Sequence, residues 1–529
     1  MPVRTLSALE KARHRFGGSN ARAKLTLLAR LDRARLRRAR ELVRLHEALC
    51  FMRAYPDDAR VLGRVERMLA RFARRRDLRE HRDALENSGI AGAGIRYPFF
   101  WPTACWLARR WPRRLALDRL DRDADAGIAK ALPLLAGPAA ALWLKGRRPG
   151  GFIALDRLRR RGVTDAVQFI GLVERMPGDS FTREAFYDAI EPVLELFAGS
   201  DTPTRTLAAH AAGRIAWQRA PLDRSRPDLR TEIRRPPRRV RGVSRTEGER
   251  LIDLAREAMV TRSRDLDAFA YGDPRDVRIV EDGGGLAFSL NGVVPGRRAL
   301  VTATYGVLTL RNRVPIGYIE LDVTGRFADI AFNTFPTFRG GEAARVLARA
   351  LAMTRHVFGS ETFGIDSYQL GKGNDEAIES GAWWFYYKLG FRPRTPEARR
   401  MARRELSRWH RNRSFRSSEA TLRELAEWGL FFDLDPTVRR NAPPLAEFGL
   451  RAARKASSPA RAPFARLEKI APDWRPLIET LPGIGRWKKS EVRALAEMLR
   501  AKTGGRESDY VRLFNAHPKL GRALLGRNY

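Results

Sequence analysis

Cysteine is almost absent. Cys50 and Cys105 are the only two in 529 residues, too few for a disulfide framework or a cysteine-bound metal cluster, so a reducing cytoplasm is the expected compartment. Histidine is nearly as scarce. His14, His46, His81, His210, His356, His410 and His517 lie far apart without ligand spacing, and no metal site is expected. No GxxxxGKS or GxxxxGKT run occurs, which leaves NTP hydrolysis on a phosphate loop without support. No stretch reaches the ~18 uninterrupted apolar residues of a membrane span. The nearest, Ile128–Leu144, contains Lys130, Pro133 and Pro138. The opening MPVRTLSALEKARHRFGG has no apolar segment of signal-peptide length. The chain reads as soluble and intracellular.

Acidic residues are the other deficit: 61 Asp+Glu stand against 100 Lys+Arg, a formal charge of +39. Such an excess attracts polyanions at long range, so nucleic acid or another polyanion is open as a partner. The cations are mostly arginine and spread along the whole chain, mixed with Ala, Leu and Gly, as a composition bias also produces.

What is present is a globular composition, 44% hydrophobic, in a chain long enough for two to four cores. Residues 1–20 are polar and read as a flexible N-terminus. From Ala21 to Arg53, Leu25, Leu28, Leu31, Leu36, Leu42, Leu45 and Leu49 recur at helical spacings, and Pro56-Asp57-Asp58 starts a further helix. Helices are expected at about 128–144, 151–161, 163–175, 181–198 and 202–218, making residues 21–218 an all-helical domain. The aromatic cluster Tyr97, Phe99, Phe100, Trp101, Trp106 and Trp111 reads as core between them. The Pro- and Arg-rich stretch 219–243 reads as a linker.

At Ser244 the texture changes. A capped helix is followed by strand-like runs at Val277–Val280, Leu286–Leu290, Arg298–Leu310 and Pro315–Val323, the last two joined by the short turn Arg311-Asn312-Arg313. Residues 244–395 are therefore expected to form a mixed α/β domain, and the fold class overall is α+β. Residues 396–529 read as a basic helical C-terminal region, broken by a linker at Arg451–Arg466. Within it, Leu481-Pro482-Gly483-Ile484-Gly485 is similar to the first turn of a helix-hairpin-helix element, without the apolar positions that motif packs on.

The stretch with chemistry is 327–394. Phe327–Phe335 alternates as a strand, Pro336 ends it, and Phe338-Arg339-Gly340-Gly341-Glu342-Ala343-Ala344 opens a helix. A helix start presents unpaired N–H groups and the positive end of the peptide dipoles, and small residues let a diphosphate approach closely. Downstream, Trp383-Trp384-Phe385-Tyr386-Tyr387-Lys388-Leu389-Gly390-Phe391 reads as a helix ending at a glycine and turning into a strand.

Together these two runs resemble the GNAT acyltransferase superfamily, over about 244–395 only. The resemblance implies acetyl-CoA or another acyl-CoA as co-substrate and an amine acceptor, small molecule or protein. It places Asn333, Thr334 and Phe335 beside the pantetheine arm, and Arg339, Gly340, Gly341, Ala343 and Ala344 around the pyrophosphate. Asn374 would sit near the cofactor, and Tyr386 would protonate the departing thiolate. Glu320, Asp322 and Asp366, on expected strands beside the site, are the candidates for the base that deprotonates the amine. Glu342 departs from the family loop, which carries glycine there, while Ala344 keeps the small position. Two functions stay open: an acyl-CoA-dependent N-acyltransferase, and a non-catalytic protein of that fold whose basic helical regions hold nucleic acid or another polyanion.

Overall fold

The leucine stripes do form helices, and they begin earlier than expected. In the computed structural model, which describes residues 2–456 and 465–526, the first twenty residues include the helix Pro2–Ala12, with Leu6 and Leu9 fully buried. The periodic run after it is two helices, Asn20–Arg33 and Ala39–Ala54, separated by an extended link. Asp58 caps Ala59–Ala70, its carboxylate accepting from the N–H groups of Arg60 and Val61. The chain is α+β overall. It divides into two compact units: Met1–Pro221 with Leu251–Tyr271 and Asn312–Pro315, and Leu222–Arg250 with Gly272–Arg311 and Ile316–Tyr529.

The first unit is not all-helical. Three short strands, Ile95–Tyr97, Leu194–Leu196 and Leu115–Leu117, form a small antiparallel sheet with Leu194–Leu196 in the middle. Of the aromatic cluster, Phe99, Trp101 and Trp111 are buried in this core, and Phe100 is exposed. The helix expected at 181–198 ends at Asp188, and the one expected at 202–218 is absent: residues 197–228 carry neither helix nor strand. The Ala-rich segment is held extended by distant partners instead. Arg205 N–H donates to the Gly89 carbonyl at 2.9 Å, His210 N–H to the Arg313 carbonyl at 2.9 Å, and the Thr206 hydroxyl accepts from Ala91 N–H at 2.8 Å. Tertiary hydrogen bonds here outweigh a helix propensity worth only tenths of a kcal/mol per residue.

The second unit is built on one nine-stranded sheet. The sheet and the elements along its chain, in order, begin with helix α1 (Leu229–Arg234), strand β1 (Arg239–Gly242), helix α2 (Arg245–Val260, counted with the first unit from Leu251 on), β2 (Gly272–Gly283), β3 (Leu286–Val293), β4 (Ala303–Arg311), β5 (Val314–Thr324, counted with the first unit up to Pro315) and β6 (Phe327–Thr334). After these come α3 (Ala343–Phe358), β7 (Thr362–Ile365), α4 (Ala382–Leu389), β8 (Arg392–Pro393), α5 (Pro396–Arg411), β9 (Leu430–Asp433), α6 (Lys489–Gly504) and α7 (Glu507–Ala516). The strand order is β8-β9-β7-β6-β5-β4-β3-β2-β1.

The sheet therefore runs past the 244–395 window at both ends. The expected linker 219–243 supplies α1 and the edge strand β1. Besides the buried Leu229 and Ile233, a polar anchor holds it: the buried Arg349 guanidinium on α3 binds the carbonyls of Glu232 and Arg235 and the carboxylate of Asp282 at 2.6–2.9 Å. A Pro/Arg-rich stretch without apolar periodicity is thus pinned by hydrogen bonds to a charged group. At the other end, the region expected to be purely helical contributes β9, inserted between β7 and β8. Helices α6 and α7 also belong to this unit: Glu507 N–H and Tyr305 Oη–H both donate to Asp276 Oδ2, at 3.0 and 2.8 Å. Of the expected linker Arg451–Arg466, Arg451–Ala456 ends the helix Leu445–Ala456, and 457–464 lie outside the described residues. Leu481–Gly485 lies in the link between the helix Arg475–Glu479 and α6.

Among the described residues no helix is long and apolar enough to cross a membrane.

Candidate active site

Strands β6 and β7 run parallel but pair for three residues only, Phe327 with Thr362, Ala328 with Phe363 and Asp329 with Gly364. Beyond that point β6 continues to Thr334 on β5 alone, from Asp329 opposite Asp322 to Thr334 opposite Gly317. One edge of β6 from Ile330 onward is therefore left without a strand neighbour, and a notch opens between it and the end of β7. In an antiparallel ladder, alternate residues turn their N–H and C=O toward the partner strand. Phe335 N–H donates to the Ile316 carbonyl at 2.9 Å. That phase turns the main-chain groups of Asn333 and Phe335 toward β5, and those of Phe332 and Thr334 toward the notch. Of the three residues expected to serve a pantetheine arm, only Thr334 faces it, and its carbonyl accepts from Arg339 Nε at 3.1 Å.

Three carboxylates meet on the face of the sheet beside this notch. Asp322 and Asp329 are direct cross-strand partners, and Asp366 follows the last residue of β7. Asp322 is reached by solvent while protein surrounds it, the situation of a group on the floor of a crevice. Its Oδ1 accepts from the Thr304 hydroxyl at 2.5 Å. Burial and the neighbouring Asp366 raise its pKa above the usual carboxylate range. Asp329 is pushed up to about 6 by burial, then by Asp366 and Asp322, with the Ile330 N–H working the other way. Asp366 caps the short helix Ser367–Leu370, accepting from Gln369 N–H at 2.8 Å. Glu320 lies on the same face one pair further out, opposite Ala331.

Tyr386 completes the group. It sits on α4, 3% exposed, its ring edge-on to Phe385 and to Phe391. Burial first, then Asp366 and Asp329, raise the pKa of the phenol well above its ordinary value, while the Phe332 N–H opposes them. The hydroxyl thus belongs to the carboxylate group at the notch although the ring is in the core. Gly390, with φ of 112°, ends α4 and lets the chain turn back into Phe391 and β8. Tyr387 is only half-buried: it stacks on Trp383 and carries the Arg392 guanidinium, 4.2 Å from the ring centre.

The turn into α3 is open. Gly340 has φ of 77°, and a Cβ built there would meet nothing within 4 Å. Gly341, Ala343 and Ala344 are half-buried around the helix start. No side chain caps α3. Glu342, at the cap position, turns its carboxylate to Arg311 at 2.8 Å instead of to the helix N–H groups. Arg339 is only partly available: its guanidinium is bonded to the Glu376 carboxylate as well as to Thr334. Asn374 is a helix cap, its Oδ1 accepting from Ala377 N–H at 3.2 Å and its Nδ2 donating to the Tyr368 carbonyl at 3.2 Å.

The structure therefore brings Tyr386, Asp366 and Asp322 together, places Glu320 at the rim, and leaves Asn333 and Asn374 in structural roles. The residue that sequence reading missed is Asp329. Its signal was present: Gly325-Arg326 is a two-residue hairpin loop, which fixes Asp322 opposite Asp329. Among the described residues no group of three or more His, Cys, Asp or Glu is placed to hold a metal ion.

Set against protein-family models, curated proteins and solved structures, the chain gives no significant match.

Proposed function

We propose that the second unit is a cytoplasmic acyltransferase that moves an acyl group from an acyl-CoA thioester to an amine. The observation that carries this reading is the notch between β6 and β7, with a buried tyrosine hydroxyl, a carboxylate of raised pKa and an uncapped helix start around it. A carboxylate-lined cleft attracts a cationic amine within an otherwise basic protein. Asp329, titrating near 6, takes a proton from the ammonium group. The free amine then attacks the thioester carbonyl, the C–N bond forms as the C–S bond breaks, Tyr386 gives its proton to the leaving sulfur, and the surplus proton on the acylated nitrogen restores the phenol. The products are the amide and CoA with a free thiol. A phenol with a raised pKa stays protonated at neutral pH and is available as that donor. The diphosphate would lie on the N–H groups of Gly341, Ala343 and Ala344.

Calorimetry with acetyl-CoA on the full chain tests the reading. Micromolar binding that weakens in Arg339→Ala supports it; absence of binding defeats it. The bond between Arg339 and Glu376 favours a second reading, a scaffold that binds polyanions without catalysis. Under that reading acetyl-CoA does not bind, and duplex DNA binds with an affinity that falls steeply with salt.

A further inference from the structure

Six arginines from four segments of the chain surround one cavity of about 370 Å³ in the second unit, which includes Asp433, the partner of Thr362 at the start of β7. Arg230 comes from α1, Arg392 and Arg394 from β8 and the residue after it, Arg399 and Arg403 from one face of α5, and Arg439 from the segment after β9. The lining contains a single carboxylate, Asp433. It is already committed, bound to Arg394 at 2.9 Å and accepting from the Thr362 hydroxyl at 2.9 Å.

Three of the remaining cations are held in place but not neutralised. Arg230 donates to the carbonyls of Asp433 and Leu434, Arg392 to those of Tyr387 and Phe391, and Arg399 to that of Pro393. A carbonyl fixes a guanidinium without cancelling its charge. Arg403 and Arg439 make no side-chain hydrogen bond or ion pair with the described residues and are exposed at the cavity. Mutual repulsion is visible in Arg394, whose pKa is lowered by burial and by Arg399 and Arg439. Assembling this many like charges around a hollow costs free energy unless an anion relieves it.

We propose that this cavity is a binding site for a small oligophosphate anion, either free or carried on a nucleotide. Planar guanidinium forks match phosphate oxygens two at a time, and their convergence from several elements suits adjacent phosphates better than one carboxylate. The volume is that of a small-molecule site and is too small for a folded polymer. The phosphates are what the site reads: Tyr387 stacks on Trp383 and carries Arg392, Arg394 lies 4.4 Å from the centre of Phe431, and Arg230 lies 5.1 Å from the centre of Phe432. Each aromatic ring in the lining thus already carries a guanidinium, which competes with a stacked base. The proposal is independent of the acyltransferase reading, since none of these residues lines the notch.

Titration calorimetry on the full chain at low salt, with sodium tripolyphosphate and with ATP, tests it. Both should bind in the micromolar range, within about threefold of each other, and Arg403→Ala combined with Arg439→Ala should weaken both by about tenfold or more. A second measurement needs no variant: tripolyphosphate should protect Arg403 and Arg439 from phenylglyoxal and leave Arg404, on the same helix, reactive. No heat with either anion at about 1 mM, unchanged affinity in the double variant, or no protection overturns the site. ATP binding more than about tenfold tighter than tripolyphosphate overturns recognition by phosphate alone. Tyr386→Phe should leave both affinities as they are, so failure here and failure of the acyltransferase reading are told apart.

Discussion

The two ends of β7 have opposite electrostatic characters. Past Ile365, Asp366 joins Asp322 and Asp329, and among the described residues no arginine is ion-paired to any of the three. Asp433, paired across from Thr362 at the start of the same strand, lies in a cavity lined by six arginines. A four-residue strand separates them. The comparison teaches that a net charge of +39 says little about any particular site. What decides local chemistry is which side chains the sheet register and the helix faces bring within a few ångströms, where low dielectric makes each neighbour count.

Four measurements break or sharpen that contrast. Tyr386→Phe, at the acidic end, should lower acyl transfer by about 100- to 1,000-fold while acetyl-CoA affinity stays within about threefold. Steady-state thioester consumption reads this, and a variant of full activity would remove the tyrosine from the chemistry.

Asp329→Asn should stabilise the fold at neutral pH. Below about pH 4 the folded and unfolded chains both hold the proton, and the carboxyl makes no difference. As pH rises through about 6 the folded chain must accept a charge that its surroundings disfavour, so stability is lost there. The variant escapes this loss. It should gain about 1–2 kcal/mol at pH 7.5 and nothing at pH 4 in urea unfolding, and an equal gain at both would assign the effect to packing.

Arg394→Ala, at the basic end, removes the partner of the half-buried Asp433 and should cost about 1–3 kcal/mol in the same assay. A neutral result would mean that relief of repulsion from Arg399 and Arg439 offsets the lost pair. Arg439→Gln removes a charge that has no ion-pair partner among the described residues, and should change stability by less than about 0.5 kcal/mol while weakening anion binding. Destabilisation above that would show Arg439 to be tied into the fold.

Much of the sheet and its flanks was legible in the chain. The hairpin Arg311-Asn312-Arg313, with Asn312 and Arg313 at φ of 46° and 73°, joins the strands expected on either side. Gly340 and Gly390 mark the turn into α3 and the end of α4, as their place in the pattern required. Tyr386 and Asp366 were both singled out, and the fold gathers them. Asp329 was passed over because a charged residue inside a strand reads as a solvated face until its cross-strand partner is named. Asn333 and Asn374 were assigned to the ligand because spacing does not show that one is turned to β5 and the other spent as a cap. The arginine cavity was not legible at all: its members lie between residues 230 and 439 and look, in one dimension, like a uniform bias.

The amino-acid order by itself determined the local elements, because alternation, helical spacing and turn chemistry act over a few neighbours. It also determined that cations would exceed anions across the whole chain. Only the tertiary structure decided that β9 would slot between β7 and β8, that β6 would outrun its parallel neighbour, and that carboxylates and guanidinium groups would collect at opposite ends of one short strand. Those outcomes depend on contacts between residues tens to hundreds of positions apart, and electrostatic energy follows distance in space, which the order of the chain does not give.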